Sequence, residues 1–458
     1  MKRVILILSL AAAGLVPARA QLRLTLPEAV EIALSENPTI RVAELEVQRF
    51  DYVKRQTWGN LIPQISVGGT YTRSIVKQSM TKGLSFGADN TLTAQGDATW
   101  TLFAPTVFRT LRLNDTQMAA AVEAARGSRI TLVAEVKKAF YNILLSEQSL
   151  AVLRESEATV QRTVDDTELQ YRNGLASEYD LLTAQVQLSN LRPSILQTEN
   201  SIKVAKLLLK MYLSIPEEVE IEVAGELDAM RDRVLAGTDG LSTDITENSD
   251  LRTLELQEEL LRRQLKVANA SRWPTVAAFF SATYTGNDMD MTKLGAFGGG
   301  AEGGEGGSGS GSGSGSAGDV LDGSKFWWQH PISAGLQLNI PIFAGLTKMN
   351  RSRELKNQIT QIGLQRDYAR QQIDVEVRSA LNDLLTARET MYAQERTVEQ
   401  ARKAYSISDT RYRAGAGTIL ELNSAQLAQT QAQLSYSQAI YDYLSAKAEY
   451  DRIVGREY

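Results

Sequence analysis

The chain has 458 residues, 43% hydrophobic and 22% charged, with a formal charge of −5, one histidine and no cysteine. Without cysteine there are no disulfides, thiolate metal sites, cysteine nucleophiles or lipid-anchored cysteines, and a mildly acidic balance without a basic run argues against nucleic acid as a partner. Length permits two or three domains, but few segments are continuously apolar, which points away from one large globular core.

The start, "MKRVILILSLAAAGLVPARA", joins a basic pair, an apolar run of about a dozen residues and a small-x-small end at Ala18-Arg19-Ala20. This reads as a secretory signal, residues 1–20, with a mature chain from Gln21. The run is too short for a spanning helix, which takes about 18 to 20 apolar residues. Loss of Lys2, Arg3 and Arg19 takes the formal charge from −5 to about −8.

After an opening helix over 38–60, "QISVGGTYT" places Ile65, Val67, Gly69 and Tyr71 on alternate positions. "LTAQGDATWTLF" does the same with Leu92, Ala94, Gly96, Ala98, Trp100 and Leu102, so residues 64–103 read as a strand pair. From 106 to 172 only Gly127 interrupts, predicting a helix of about 65 residues, or about 100 Å at 1.5 Å per residue. A glycine turn follows, then a return helix over 177–213. The heptad Leu181, Leu188, Ile195, Ile202 and Leu209 gives it a coiled-coil seam, and Pro193 is expected to bend it.

The same order then repeats. A helix over 249–272 precedes a strand pair over about 276–343, with Val276, Ala278, Phe280, Ala282 and Tyr284, then Ile332, Ala334, Leu336, Leu338, Ile340 and Ile342, in alternation. Between these strands lies "GGGAEGGEGGSGSGSGSGS", Gly298 to Ser316, which cannot bury apolar surface and reads as a flexible loop or spacer. A long helix over 347–413 and a return helix over 418–454 complete the half; here Leu420, Leu427, Leu434, Tyr441 and Ala448 are seven apart. At an offset of about 241, "EVKKAFYNILL" from Glu135 sits over "EVRSALNDLLT" from Glu376, and "YRNGLAS" from Tyr171 over "YRAGAGT" from Tyr412. The expected division is a first repeat over 21–230 and a second over 231–458.

Four strands of about 10 residues suit a tilted membrane crossing. Phe326, Trp327 and Trp328, with Tyr71 and Trp100, are placed for an interfacial aromatic girdle. Alternation alone also fits two hairpins of a water-soluble sheet. If the strands enter a membrane, four are too few to close a barrel, which takes about eight or more, so several chains must share one.

The signal, "LTLPEAVEIALSENPTI" from Leu24, the duplicated order of helix, strand pair and long helix, and the paired glycine turns together resemble the outer membrane efflux protein (TolC-like) family over essentially the whole mature chain. The resemblance implies an α+β membrane protein with long α-helical hairpins. In a homotrimer, four β-strands per protomer would build a shared 12-stranded outer-membrane β-barrel, continued by a trimeric α-barrel tunnel. It implies a Gram-negative outer-membrane location with the helices in the periplasm, and the role of exit duct in a tripartite efflux or type I secretion system. Partners would be a periplasmic adaptor (membrane fusion) protein, an inner-membrane pump such as an RND or ABC transporter, and outer-membrane lipid. The alternative is a non-channel periplasmic coiled-coil structural or adaptor protein.

No enzyme, cofactor or metal site is expected. His330 has no triad or metal set around it, and Met289 and Met291 lack further soft ligands. Gly174 and Gly415 suit the left-handed end of a helix, and Ser177 and Thr418 the N-cap of the next. By position in the resembled family, Gly174, Leu175, Ala176, Ser177, Gly415, Ala416, Gly417 and Thr418 would face the adaptor. Tyr412 and Asp180 match gate-bonding positions, and Glu421 an acidic ring. Gly417 stands where the family has a gate arginine and Ser424 where it has an acid, which leaves Arg413 or Arg172 to supply the cation.

Overall fold

Long glycine-poor stretches become helices and alternating stretches become strands in the computed structural model, which describes residues 22–76, 78–81, 84–86, 88–236, 241–288, 326–343 and 345–457. The expected signal, the Gly/Ser-rich stretch 298–316, Met289 and Met291 lie outside the described residues. Along the chain come β1 (Leu22–Leu24), α1 (Leu26–Glu36), α2 (Pro38–Gly59), β2 (Gln64–Arg73), β3 (Gln78–Thr81), β4 (Leu84–Phe86) and β5 (Asn90–Phe103). Then follow α3 (Pro105–Arg172), α4 (Glu178–Leu213), β6 (Ile221–Val223), α5 (Leu227–Ala236), α6 (Ser249–Ala270), β7 (Thr275–Asn287), β8 (Trp327–Gln329), β9 (Ile332–Asn339), α7 (Thr347–Arg413) and α8 (Ile419–Val454). No helix among the described residues is long and apolar enough to cross a membrane. The fold is mostly helical with some sheet, in two compact units: residues 51–116 with 260–359, and residues 1–50, 117–259 and 360–458.

The first unit holds the main sheet, in which β2, β5, β7 and β9 pair antiparallel in that order and β8 extends β7 beyond the end of β9. Paired residues share a face, so the register decides what each face presents. One face carries Ile65, Ala98, Phe280 and Ala334 in one row and Val67, Gly96, Ala282 and Ile332 in another. The row between them, Ser66, Asp97, Ser281 and Ser333, lies on the opposite face, where Ser281 Oγ and Gln95 Nε2 donate to Asp97 Oδ1 at 2.7 and 2.9 Å. Phe279 is the exception on that polar face, packed over Gly335.

The apolar face is open: Val67 is 83% exposed and Leu336 72%. Aromatic rings mark its two ends. Tyr71, Leu92, Gly286 and Trp328 form one terminal row, with Trp328 stacked on Tyr284 at 4.7 Å between centroids. A Cβ on Gly286 would come within 2.8 Å of the Trp328 ring, so glycine there is required by close approach. At the other end Trp100 donates its indole N–H to the Leu61 carbonyl at 3.0 Å. The lone His330 is exposed beside Tyr284, with 6.4 Å between ring centroids.

The second unit is helical around one main core. Leu24, Ala29 and Val30 meet Val136, Phe140 and Ile143 of α3, Leu209 and Leu213 of α4, Val377 and Leu384 of α7, and Ile440, Tyr443 and Tyr450 of α8. β1 pairs parallel with β6, and Glu28 returns to the Thr25 backbone N–H at 2.9 Å to cap α1. Tyr450 Oη both donates to the Ser242 carbonyl and accepts its N–H, at 2.6 and 2.8 Å. This clamps the segment before α6 against α8.

The two return helices treat their heptads differently. In α4, Ile195 and Leu209 are buried, and Leu181 and Leu188 pack on a second cluster of Val160, Val164 and Ala184; the helix runs on through Pro193. In α8 the expected seam is out of phase only at its start: Leu420 and Leu427 are 61% and 64% exposed, with Ile419, Leu422, Gln426 and Thr430 buried instead, whereas farther along Tyr441 packs on the core and Ala448 is buried. Over the first turns of α8 the buried stripe is partly polar, and the apolar heptad traces a different face there.

Candidate gate and docking turns

Two helix reversals carry the residues singled out by the sequence, both within the helical unit. α3 ends in Gly174 at φ +75, with Leu175 N donating to Gln170 O at 2.8 Å and Gly174 N to Tyr171 O at 2.9 Å. α7 ends identically in Gly415 at φ +70, with Ala416 N on Arg411 O and Gly415 N on Tyr412 O, both 2.9 Å. These are two Schellman motifs in one register, and the left-handed residue must be glycine to avoid Cβ strain. Ser177 then caps α4, its Oγ accepting from Asp180 N at 3.2 Å and donating to Asp180 Oδ2 at 2.7 Å. Thr418 Oγ1 accepts from Glu421 N at 3.2 Å.

The turn surfaces are open. Leu175 is 79% exposed, and Ala176 and Gly417 are half-buried beside it and its counterpart Ala416. A Cβ on Gly417 would sit 3.2 Å from Tyr412 N and 3.3 Å from Arg411 Cβ, so the second turn is packed tightly on itself.

The contacts beneath the turns separate the candidates. Tyr412 Oη lies 3.1 Å from Thr167 Oγ1, which itself donates to Thr163 O at 2.7 Å. Since a hydroxyl carries one proton, Tyr412 is the donor to Thr167. Asp180 is held in its capping box. Arg172 pairs with Glu168 and Arg413 with Asp409, each one turn back on its own helix. The cation nearest Glu421 is Arg411, Nη2 to Oε2 3.8 Å, which also donates to Ala416 O at 3.3 Å. The sequence reading missed Arg411, although the signal was there: it and Glu421 are equidistant from Ala416, so the reversal brings them together.

Deeper along the same helices, α3 meets α8 through polar groups. Ser156 Oγ lies 3.0 Å from Thr430 Oγ1, and Gln426 Nε2 donates to Ser156 O at 3.4 Å. α3 meets α4 instead through the apolar cluster of Val160, Val164 and Ala184. Tyr405, below the α7 turn, has its hydroxyl pKa raised by burial and by Asp409. Among the described residues no group of three or more His, Cys, Asp or Glu is placed to hold a metal.

The chain that folds into this two-faced sheet, helical core and pair of matched reversals matches the outer membrane efflux protein family over residues 29–213 and 241–456. The chain belongs to that family. Among its relatives, the toluene efflux pump outer membrane protein TtgC of Pseudomonas putida is 25% identical, over 88% of this chain and 76% of its own. Outer membrane protein TolC of Escherichia coli is 21% identical, over 84% and 72%. The outer-membrane channel OprN superposes with a TM-score of 0.70 at 18% identity, over 94% of this chain and 89% of its own. VceC from Vibrio cholerae gives 0.70 at 14%, over 94% and 96%. As an outer membrane efflux protein, this chain acts as an export channel of the outer membrane.

Proposed function

We propose that the chain is one protomer of a homotrimeric exit duct, closed at its glycine turns and opened when a periplasmic adaptor and an inner-membrane pump engage them. One observation carries the reading: among the described residues the sheet has one apolar and one polar face and is open at β2 on one side and at β9, with the short β8, on the other. Successive strands alternate in direction, so β9 of one copy runs antiparallel to β2 of the next. Three copies therefore close into an all-antiparallel barrel of 12 strands with the apolar rows on lipid and the polar rows inside. Within this reading the two halves of each chain are tandem repeats, 21–230 and 231–458, and their hairpins alternate around a periplasmic tunnel. Exposed Leu420 and Leu427 fit contacts between neighbouring protomers.

Leu175 and Ala416, with the flanking Gly174, Ala176, Ser177, Gly415, Gly417 and Thr418, form the adaptor-facing rim. Tyr412, Asp180 and Glu421 form the gate, with Arg411 beside Glu421 and Arg172 and Arg413 outside it. A ring of three Glu421 carboxylates in a narrow lumen favours cations. Drug, toluene or protein cargo is chosen by the pump, since a passive duct does not select it.

Planar-bilayer recording of purified protein, with its mass in detergent, tests the reading. A trimer giving discrete cation-selective conductance is expected. A monomer or dimer without conductance would reject it.

A further inference from the structure

The helix turns that adjoin the sheet carry an excess of positive charge that is invisible in the sequence, because it is assembled from four separate segments. Residues 51–63, 103–116, 260–274 and 343–359 hold twelve lysines and arginines against three acids, in a chain of formal charge −5. These segments end α2 and α6 just before β2 and β7 and begin α3 and α7 just after β5 and β9. By the strand register they share one end of the sheet, within one compact unit.

The acids do not neutralise this collar. Asp115 pairs with Lys54 at 2.7 Å, Asp51 with Arg55 at 2.8 Å and Glu354 with Arg351 at 2.6 Å. Arg109, Arg112, Lys266 and Arg353 are exposed on the remaining turns. A further copy of the chain brings the same composition, so homo-oligomerisation multiplies the excess instead of cancelling it. Aromatic and apolar side chains sit at the same level: Trp58 is 51% exposed, Trp273 63% and Phe343 81%, next to the Trp100–Leu61 contact at the margin of the apolar face.

Exposed rings at the edge of an apolar band, with long basic side chains just beyond, are the combination a lipid headgroup layer accepts. The rings lie at the interface and the guanidinium groups reach phosphate oxygens. We propose that this collar binds the phosphate headgroups of anionic phospholipids in the leaflet next to the helices, which fixes the depth of the sheet. The proposal rests on the sheet's lying in the bilayer, as inferred above.

The test uses the full chain in nanodiscs of mixed phosphatidylcholine and phosphatidylglycerol, with retained lipid measured by mass spectrometry after extraction. A basic residue near an anionic surface contributes about 1 kcal/mol, roughly fivefold. Arg109→Gln, Arg112→Gln, Arg351→Gln and Arg353→Gln combined should therefore lower the phosphatidylglycerol preference by about tenfold or more. Removing the exposed charges of Arg192, Lys203, Arg396 and Arg402, all to Gln, should leave it unchanged. If the collar variant does not assemble, the wild-type preference must fall between about 0.05 and 0.5 M salt as screening sets in. A salt-independent preference, or one retained in the collar variant, overturns the proposal. So does a lipid-independent shift of reversal potential in the collar variant, which would put these bases on the pore. Wild-type conductance in the same lipids reports separately on the barrel: conduction without lipid preference rejects the collar alone.

Discussion

The Tyr412 hydroxyl donates to Thr167 Oγ1 across 3.1 Å, joining the last turn of α7 to the turn before the last of α3 through a threonine that is fully buried. A net intramolecular hydrogen bond contributes about 0.5–1.5 kcal/mol, enough to bias a closed tip without locking it. Tyr412→Phe is expected to raise single-channel open probability several-fold, with a double-mutant coupling to Thr167→Val of about 1 kcal/mol. Bilayer recording and chemical unfolding of the four-variant cycle measure both; additive effects and unchanged gating would remove Tyr412 from the gate.

The two Schellman glycines permit a cleaner measurement, because a Cβ at Gly174 or Gly415 would meet nothing within 4 Å. Any cost of Gly174→Ala or Gly415→Ala is therefore backbone strain, about 1–2 kcal/mol, and asparagine should recover part of it. Gly417→Arg differs, since its Cβ would lie 3.2 Å from the Tyr412 nitrogen. It should destabilise the turn by displacing neighbours. Urea unfolding midpoints order the three variants.

Much of this was legible in the sequence for identifiable reasons. The stretch from 106 to 172 has neither proline nor more than one glycine to stop a helix, and it forms one. The strands were readable because the register keeps Ile65, Val67, Ala98 and Phe280 on one face. Period-two alternation thus survives along the pairing up to the bulge between Thr101 and Phe103, where Leu102 drops out of the register. The start of the α8 seam was not readable, because the buried face there holds Gln426 and Thr430 while Leu420 and Leu427 point away from the protomer core. Apolar periodicity reports burial in whatever assembly the helix serves. Arg411 escaped because pairing across a reversal depends on the turn geometry, and β1, β6 and β8 because three residues carry no period.

Glu449 gives the helical unit a pH signature. Its burial would raise the carboxyl pKa, but hydrogen bonds from Arg452, at 2.8 Å, and Lys138 outweigh that and hold it below the ordinary glutamate value. A depressed folded pKa means that this stabilisation is present above the unfolded value, about 4.3, and is lost as pH falls through the folded one. Glu449→Gln should therefore lower the melting temperature at neutral pH and converge with wild type under more acidic conditions. Melting curves from pH 7 down to about pH 3.5 test this; a constant difference across that range would remove Glu449 from the pH response.

Adjacent residues of β2 test the sheet most directly. Val67 lies in a row with Gly96, Ala282 and Ile332 on the apolar face, and Ser66 in the row with Asp97, Ser281 and Ser333 on the polar one. In water both faces would accept a lysine equally, since both residues are exposed in the protomer. In a barrel the two substitutions diverge. Val67→Lys puts a cation into hydrocarbon at about 2–4 kcal/mol per site near the midplane, and three copies around the ring should abolish the folded membrane form. Ser66→Lys should assemble and shift the reversal potential toward anions, because it adds three positive charges to the lumen beside Asp97. Equal loss of assembly in both variants would show that the register does not separate a lipid face from a water face. Equal tolerance would return the strands to a soluble sheet.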